Sequence, residues 1–329
     1  MFLMRYFKLK VKKFVPNNFW EFLVIIKKFL FVSDWQQLQV KSKKIQSVYI
    51  IRRRPPGAGL FANVKHVLEG LIHANEHGYI PVVDMKNYPT EYSSLWKFNG
   101  TRNAWEYFFE PVSNMTLKEA YASESLILSA GDRILSEHPT SGRNLNFVFD
   151  NNVMSNLHSL YKEKIRLNSF TINFIEDVIN FIGINKNKSL GVFFRGDKRY
   201  GGSGHTRQPR LEDVIEDVKS FLSEHQIQSI FLATDTQNTR DMFDLEFGNL
   251  VHKNFREEFN QNNSSAIKFF SRYNIPSTEI STALGYLAEI YISASLAYNI
   301  ASLTNGSAFI HIINGGVFKD SKLYNLGTF

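Results

Sequence analysis

The sequence predicts an α/β protein built on parallel sheets, and three observations carry that expectation. Short apolar or β-branched runs read as buried strands, as in residues 190–194 (L-G-V-F-F) and 229–234 (S-I-F-L-A-T). Between such runs apolar residues recur at helical spacing, as Leu211, Val214, Ile215, Val218, Phe221 and Leu222 do. Strand and helix then alternate along most of the chain. Right-handed crossovers fold that order into a parallel sheet with helices on both faces.

The first region opens with residues 47–52 (S-V-Y-I-I-R), a β-branched strand, and the turn Pro55, Pro56, Gly57, Ala58, Gly59. Phe61, Val64, Leu68, Leu71, Ile72 and Asn75 mark one face of a helix that closes at Gly78. Residues 79–84 (Y-I-P-V-V-D) read as the next strand. From 89 to 150 the pattern is mixed, and Trp96, Trp105, Tyr107, Phe108 and Phe109 suit the wall of a core or a cleft. A helical pattern over 167–182 ends in the polar turn 183–188 (G-I-N-K-N-K), which marks a boundary. Beyond the strand 190–194, the helix from Leu211 and the strand 229–234 come a short helix at 239–246 and a strand at 249–252. Leu284, Leu287, Ala288, Tyr291, Ile292, Ser295 and Leu296 mark a further helix, and 299–304 (N-I-A-S-L-T) a last strand. The expected division is a segment 1–45, an α/β domain 46–185 and a second α/β domain 186–329.

A chain of 329 residues, 43% of them hydrophobic, supplies a core for each domain. There are no cysteines, which excludes a disulfide framework, thiolate zinc sites and cysteine nucleophiles, and fits a reducing compartment. The net charge of +7 is concentrated: residues 1–30 hold seven basic residues against the single acid Glu21. No run there approaches the roughly 18 apolar residues of a spanning helix, and no signal-peptide pattern is present. A cytoplasmic protein is the expectation. The aromatic residues among the charges (Tyr6, Phe7, Phe14, Trp20) suit peripheral contact with an anionic membrane on its inner face. An ordinary N-terminal helix with solvated lysines fits the same residues. No zinc-finger, RNP or helix-turn-helix signature accompanies the charge, so nucleic acid is not an expected partner.

Ligands of an open parallel sheet collect outside the carboxyl ends of its strands. After the strand 190–194 come Arg195, Gly196, Asp197 and Lys198; after 229–234 comes Asp235; after 299–304 come Asn305, Gly306 and Ser307. An arginine fork matches a diphosphate bidentately. A carboxylate can accept from guanine, and a Gly-Ser turn offers N–H groups and a hydroxyl to phosphate. Three strand ends thus converge on the chemistry of a nucleoside diphosphate. An Arg195–Asp197 loop pair is the plainer account of two of these residues.

The same residues resemble a known family. Residues 190–198 (L-G-V-F-F-R-G-D-K) resemble the H-x-R-R-x-D-K signature of α-1,6-fucosyltransferases and their bacterial nodulation relatives, and more loosely of O-fucosyltransferases. Residues 204–209 (G-H-T-R-Q-P) are similar to a G-H-P-x-Q-P continuation, 231–235 (F-L-A-T-D) to a strand-end acid, and 302–307 (S-L-T-N-G-S) to a serine-rich turn. Upstream, 57–84 and 103–110 (N-A-W-E-Y-F-F-E) resemble shared stretches of the bacterial group. The resemblance covers roughly residues 47–310, and its specificity lies in the order and spacing of the motifs. It departs at three points. Phe193 stands in place of histidine, Gly196 in place of the second arginine with one residue deleted, and no glutamate follows the motif.

The resemblance implies a GT-B-like fold of two Rossmann-like domains: an acceptor-side N-terminal domain and a C-terminal domain that binds the nucleotide sugar. It further implies transfer of fucose from GDP-fucose to a glycan acceptor, with inversion and without metal or other cofactor. Arg195 would hold the β-phosphate, Asp235 read guanine, and Thr304 or Ser307, beside Asn305 and Gly306, offer a phosphate-binding hydroxyl. The absence of a D-x-D triad agrees with metal independence. For the base that deprotonates the acceptor, His205 is the candidate and Asp197 the second. Gly59, Asn63 and His66 are candidates on the acceptor side, although Asn63 also suits a helix cap or a buried amide. His73 and His77 are spaced as a metal pair, but with no third ligand evident a solvated face is expected. A different sugar nucleotide, or binding without turnover, are the competing readings.

Overall fold

The computed structural model describes residues 46–53, 58–130, 140, 145–196, 206–253, 269 and 271–328. Residues 1–45, which carry the expected membrane contact, lie outside the described residues, as do Asp197 and His205. The described residues fall into two compact units, one up to 130 and one from Thr140 onward.

The first unit holds β1 (Val48–Ile51), α1 (Leu60–Glu76), β2 (Ile80–Val83), α2 (Leu117–Tyr121) and β3 (Leu126–Leu128). The three strands pair in parallel in the order β2-β1-β3, with Val48 opposite both Ile80 and Leu126. Central β1 is buried along its whole length, which its β-branched composition suits. The aromatic stretch after β2 builds core: Trp105 stacks on Phe109 at 4.3 Å, and Tyr107, Phe108 and Phe109 are buried. Trp96 alone of the five remains exposed.

The second unit holds α3 (Asn151–Lys164), α4 (Ser169–Ile182), β4 (Ser189–Phe194), α5 (Leu211–Glu224), β5 (Ser229–Thr234), α6 (Gln237–Phe247) and β6 (Val251–Lys253). There follow α7 (Thr278–Ser295), β7 (Tyr298–Ser302), α8 (Asn305–Asn314) and β8 (Asp320–Tyr324). Its five strands are all parallel, in the order β6-β5-β4-β7-β8. On one face Leu190, Val192 and Phe194 pack with Val214, Val218 and Phe243 of the flanking helices. Alternation sends Phe193 to the opposite face.

The α/β class with parallel sheets is as the sequence predicts. The compact units, however, divide well before the turn at 183–188. Helices α3 and α4 precede that turn yet pack on α8 and α7, so they belong with the second sheet.

Candidate functional site

The strand order of the second unit selects one place for a ligand. Chain order runs outward from β4 to β5 and β6, then returns to the other side for β7 and β8. The carboxyl ends of β4 and β7 therefore flank a switch point, where the connecting helices leave on opposite faces and open a crevice. Arg195 follows β4, and Thr304–Ser307 follow β7.

Arg195 is one-third exposed, and its Nε lies 3.5 Å from Oδ2 of Asp235, whose side chain is 7% exposed. The other carboxylate oxygen accepts from the Gly196 amide at 3.2 Å. Asp235, at the end of the neighbouring strand, thus binds both the charge and the backbone of the β4 loop. The ion pair is long and part-exposed, an arrangement that contributes little stability and leaves the guanidinium able to turn toward another anion. Asp235 is thus one partner of Arg195, and Asp197, which the sequence offered, lies outside the described residues.

Gly196 occupies the position where the resemblance expects an arginine. A Cβ on it would lie 2.3 Å from Cγ2 of Thr236, so Thr236 leaves no room for a side chain. Phe193, in place of histidine, stacks near Tyr286 at 6.3 Å between ring centres. The two rings close over Gly306, whose missing Cβ would fall 2.3 Å from the Tyr286 hydroxyl and 2.9 Å from Phe193 Cζ. Close packing between α7 and the first turn of α8 requires that glycine.

The Gly-Ser turn proves to be a helix N-terminus. Thr304 is its cap, and its Oγ1 accepts from the Ser307 amide at 3.2 Å while the Ser307 hydroxyl accepts from the Thr304 amide at 2.8 Å. The Ser307 hydroxyl proton points to the Ser302 carbonyl at 2.7 Å, and the residue is fully buried. Both hydroxyls are therefore engaged in building the turn. What the cap leaves over are the first-turn N–H groups of Asn305 and Gly306, with the positive end of the helix dipole behind them.

In the first unit Gly59 caps α1 through its carbonyl, which accepts from Ala62 and Asn63 at 3.0 and 3.1 Å. Asn63 donates from Nδ2 to the Ala58 carbonyl at 3.2 Å, and its Oδ1 is buried with no hydrogen-bond partner among the described residues. His66 is 2% exposed; Nε2 donates to the Arg52 carbonyl at 3.0 Å and Nδ1 lies 3.5 Å from Arg53 Nη1. These bonds fix the ring as a clamp on the loop after β1. Asn63 alone of the three retains an acceptor.

Two features escaped sequence reasoning. Arg52 fastens the ends of β1 and β3, donating from Nε to the Ser129 carbonyl at 2.7 Å and from Nη1 to the Tyr88 hydroxyl at 3.0 Å. Lys65 and Glu69 form a buried pair on α1 at 2.6 Å; burial pushes the Glu69 carboxyl up and Lys65 pulls it back. The i, i+4 spacing of Lys65 and Glu69 was the available signal.

No protein-family model and no curated protein sequence matches the chain. Among solved structures it is similar to NodZ α-1,6-fucosyltransferase soaked with GDP-fucose, at 14% identity and TM-score 0.50, over 82% of this chain and 93% of that one. A structure of POFUT1 in complex with GDP is 11% identical with TM-score 0.47, over 86% and 99% of the two chains. For a mutant of Arabidopsis thaliana FUT1 in complex with GDP the values are 12%, 0.47, 98% and 77%. Parallel sheets in both units, and a switch point between β4 and β7, thus belong to a chain whose fold is that of the NodZ α-1,6-fucosyltransferase.

Proposed function

We propose that this chain is a glycosyltransferase that moves fucose from GDP-fucose to a glycan acceptor, with inversion and without a metal ion. The observation that carries the reading is the pairing of Arg195 with a helix N-terminus on the two strands that flank the switch point. The likeness of fold to a fucosyltransferase soaked with GDP-fucose supports the donor.

In this reading the diphosphate lies against the Asn305 and Gly306 amides, and Arg195 turns to its terminal phosphate. The acceptor hydroxyl attacks the anomeric carbon from the face opposite the leaving group. As the glycosidic C–O bond breaks, negative charge grows on the diphosphate oxygens, where Arg195 and the helix dipole stabilise it most. That arrangement supplies the role a divalent cation plays in other transferases. The base is assigned to His205, with Asp197 second, on sequence position alone. Asp235 presents a carboxylate at the end of β5, and carboxylate oxygens suit the guanine N–H groups. Asn63 Oδ1 suits a sugar hydroxyl. The domain limits 46–185 and 186–329 are retained as functional assignments, with donor binding in the latter. Among the described residues no helix is long and apolar enough to cross a membrane. Peripheral contact through residues 1–30 rests on their charge.

Thermal-shift measurements with GDP, UDP and CMP, followed by donor hydrolysis across a panel of sugar nucleotides with and without EDTA, test the reading. Stabilisation by GDP and EDTA-resistant turnover of GDP-fucose are expected. Stabilisation by UDP alone would move the donor to another class, and no response to any nucleotide would overturn the assignment.

A further inference from the structure

The far end of α1 carries a cluster that the proposed reaction does not use. His73, Glu76 and His77 each offer a ligand atom, and these atoms all lie within 4.8 Å of one another. The sequence shows the histidine pair; the structure adds the carboxylate as a third ligand. We propose that His73, Glu76 and His77 form a binding site for a late first-row divalent ion, zinc above all, that staples the last turn of α1.

Four properties of the cluster support a metal rather than a solvated face. The ring of His77 is already held by the backbone. Its Nδ1 lies 2.8 Å from the His73 carbonyl and must donate there, which leaves Nε2 as the lone-pair nitrogen. Such a bond from the non-ligating nitrogen is the usual device that fixes a metal-binding imidazole. Second, His73 is half-buried while Glu76 and His77 are exposed, so an ion can reach the cluster from solvent. Third, the cluster sits in the last turn of a 17-residue helix, whose carbonyls present the negative end of the dipole to a cation. Fourth, aromatic rings wall it on two sides. Tyr49 of β1 lies 5.0 Å from His73, and Tyr79 stacks on His77 at 5.3 Å.

The donor set decides the metal. Two imidazole nitrogens and a carboxylate suit zinc, with a water in the fourth position, and disfavour magnesium or calcium, which take oxygen ligands. Tetrahedral bonds of about 2.0–2.1 Å bring ligand atoms to about 3.3 Å apart, so closure from the observed spacing needs only small side-chain rotations. The rings themselves are already 4.2 Å apart between centres.

Location decides the role. α1 leads into the Gly78 turn and so to the start of β2, and Tyr49 stands near the start of β1. The cluster therefore lies at the amino edge of the parallel strands, away from their carboxyl ends where ligands collect. An ion there would bind three ligands of one helix end and hold that last turn closed, beside the edge where β1 and β2 begin. Metal-free turnover and a metal-stabilised first unit are then compatible.

The test uses the full chain, stripped with EDTA and dialysed. Zinc is titrated calorimetrically, and melting temperatures are measured with zinc, with magnesium and with neither. Binding of zinc with a rise in melting temperature, and no response to magnesium, is expected. His77 and Glu76 are exposed, so His77→Ala and Glu76→Gln remove ligands without opening the core. His77→Ala should weaken zinc binding by at least the roughly 10–100-fold that loss of a supporting contact to a metal ligand causes. Glu76→Gln should weaken it less. Absence of zinc binding by the unmodified chain, or an affinity in both variants unchanged from that of the unmodified chain, would overturn the site. Glu76→Gln serves as the independent check should His77→Ala fold poorly.

Discussion

Two strand ends on one sheet edge treat their polar side chains in opposite ways. After β4, Arg195 is one-third exposed and paired at 3.5 Å with Asp235. After β7, Ser307 is fully buried, and its hydroxyl bonds both a carbonyl and an amide of its own turn. Both residues are polar, both follow apolar strands, and a strand-end rule alone ranks them equally. The hydrogen bonds separate them. A side chain whose donors and acceptors are all used within its turn builds the site, whereas a part-exposed one in a long ion pair can turn to a ligand.

The comparison is broken most directly at Arg195. Its fork meets charge that grows in the transition state, so Arg195→Ala should lower turnover by roughly two to three orders of magnitude, the cost of losing such a donor. Arg195→Lys keeps charge without the fork and should recover part of the rate. The melting temperature of either variant should hardly move, because the 3.5 Å pair adds little to stability. Initial rates and melting curves on the same preparations check both halves. A folded Arg195→Ala protein with near-normal turnover would place Arg195 among the turn builders.

Asp235 stands between the two classes. It supports the β4 loop through Gly196 and Arg195, and it is also the acid proposed to read guanine. Asp235→Asn should weaken GDP binding by about 1–3 kcal/mol, the range for a hydrogen bond to a charged group. Pyrophosphate binding should change little, and the preference for GDP over UDP should shrink. Calorimetric titration with the three ligands sharpens the assignment. An equal loss for pyrophosphate would show that the carboxylate acts only by holding Arg195.

The centre of the second sheet was legible because β4, β5 and β7 are buried along their whole lengths. Leu190, Val192 and Phe194 leave no polar residue to blur the pattern, and 229–234 coincides with β5. Strand β8, Asp320–Tyr324, was missed because an edge strand carries Asp320, Ser321 and Lys322 and reads as loop. Three-residue β3 is too short for any period to show. Helix α3 has a polar sequence with only Leu157 and Tyr161 buried, and it escaped for that reason. Of the candidate site, the sequence offered candidate residues but not their partners. Nothing local links Arg195 to Asp235, forty positions on, or forbids a side chain at Gly196 because of Thr236. Spacing exposed His73 and His77, but whether Glu76 reached the same point depended on side-chain geometry.

The smallest effect expected is at Ser307, and it is the control for the whole comparison. Ser307 occupies the third helical position of α8, where its side chain and the Thr304 side chain bond each other's backbone amides. Ser307→Ala removes the acceptor for the Thr304 amide and the donor to the Ser302 carbonyl, while Thr304 still caps the Ser307 amide. Loss of one side of a helix cap costs roughly 0.5–2 kcal/mol, and in a chain of this size that lowers the melting temperature by a few degrees. The small side chain leaves the packing of Tyr286 and Phe193 on Gly306 in place, so the Asn305 and Gly306 amides keep their direction. Turnover per folded molecule should therefore stay near that of the unmodified chain, in contrast to Arg195→Ala. Melting curves paired with initial rates, normalised to folded protein, read both quantities. An unchanged melting temperature with a large fall in rate would mean that the hydroxyl turns from Ser302 to the phosphate, and that its burial conceals a ligand-binding group.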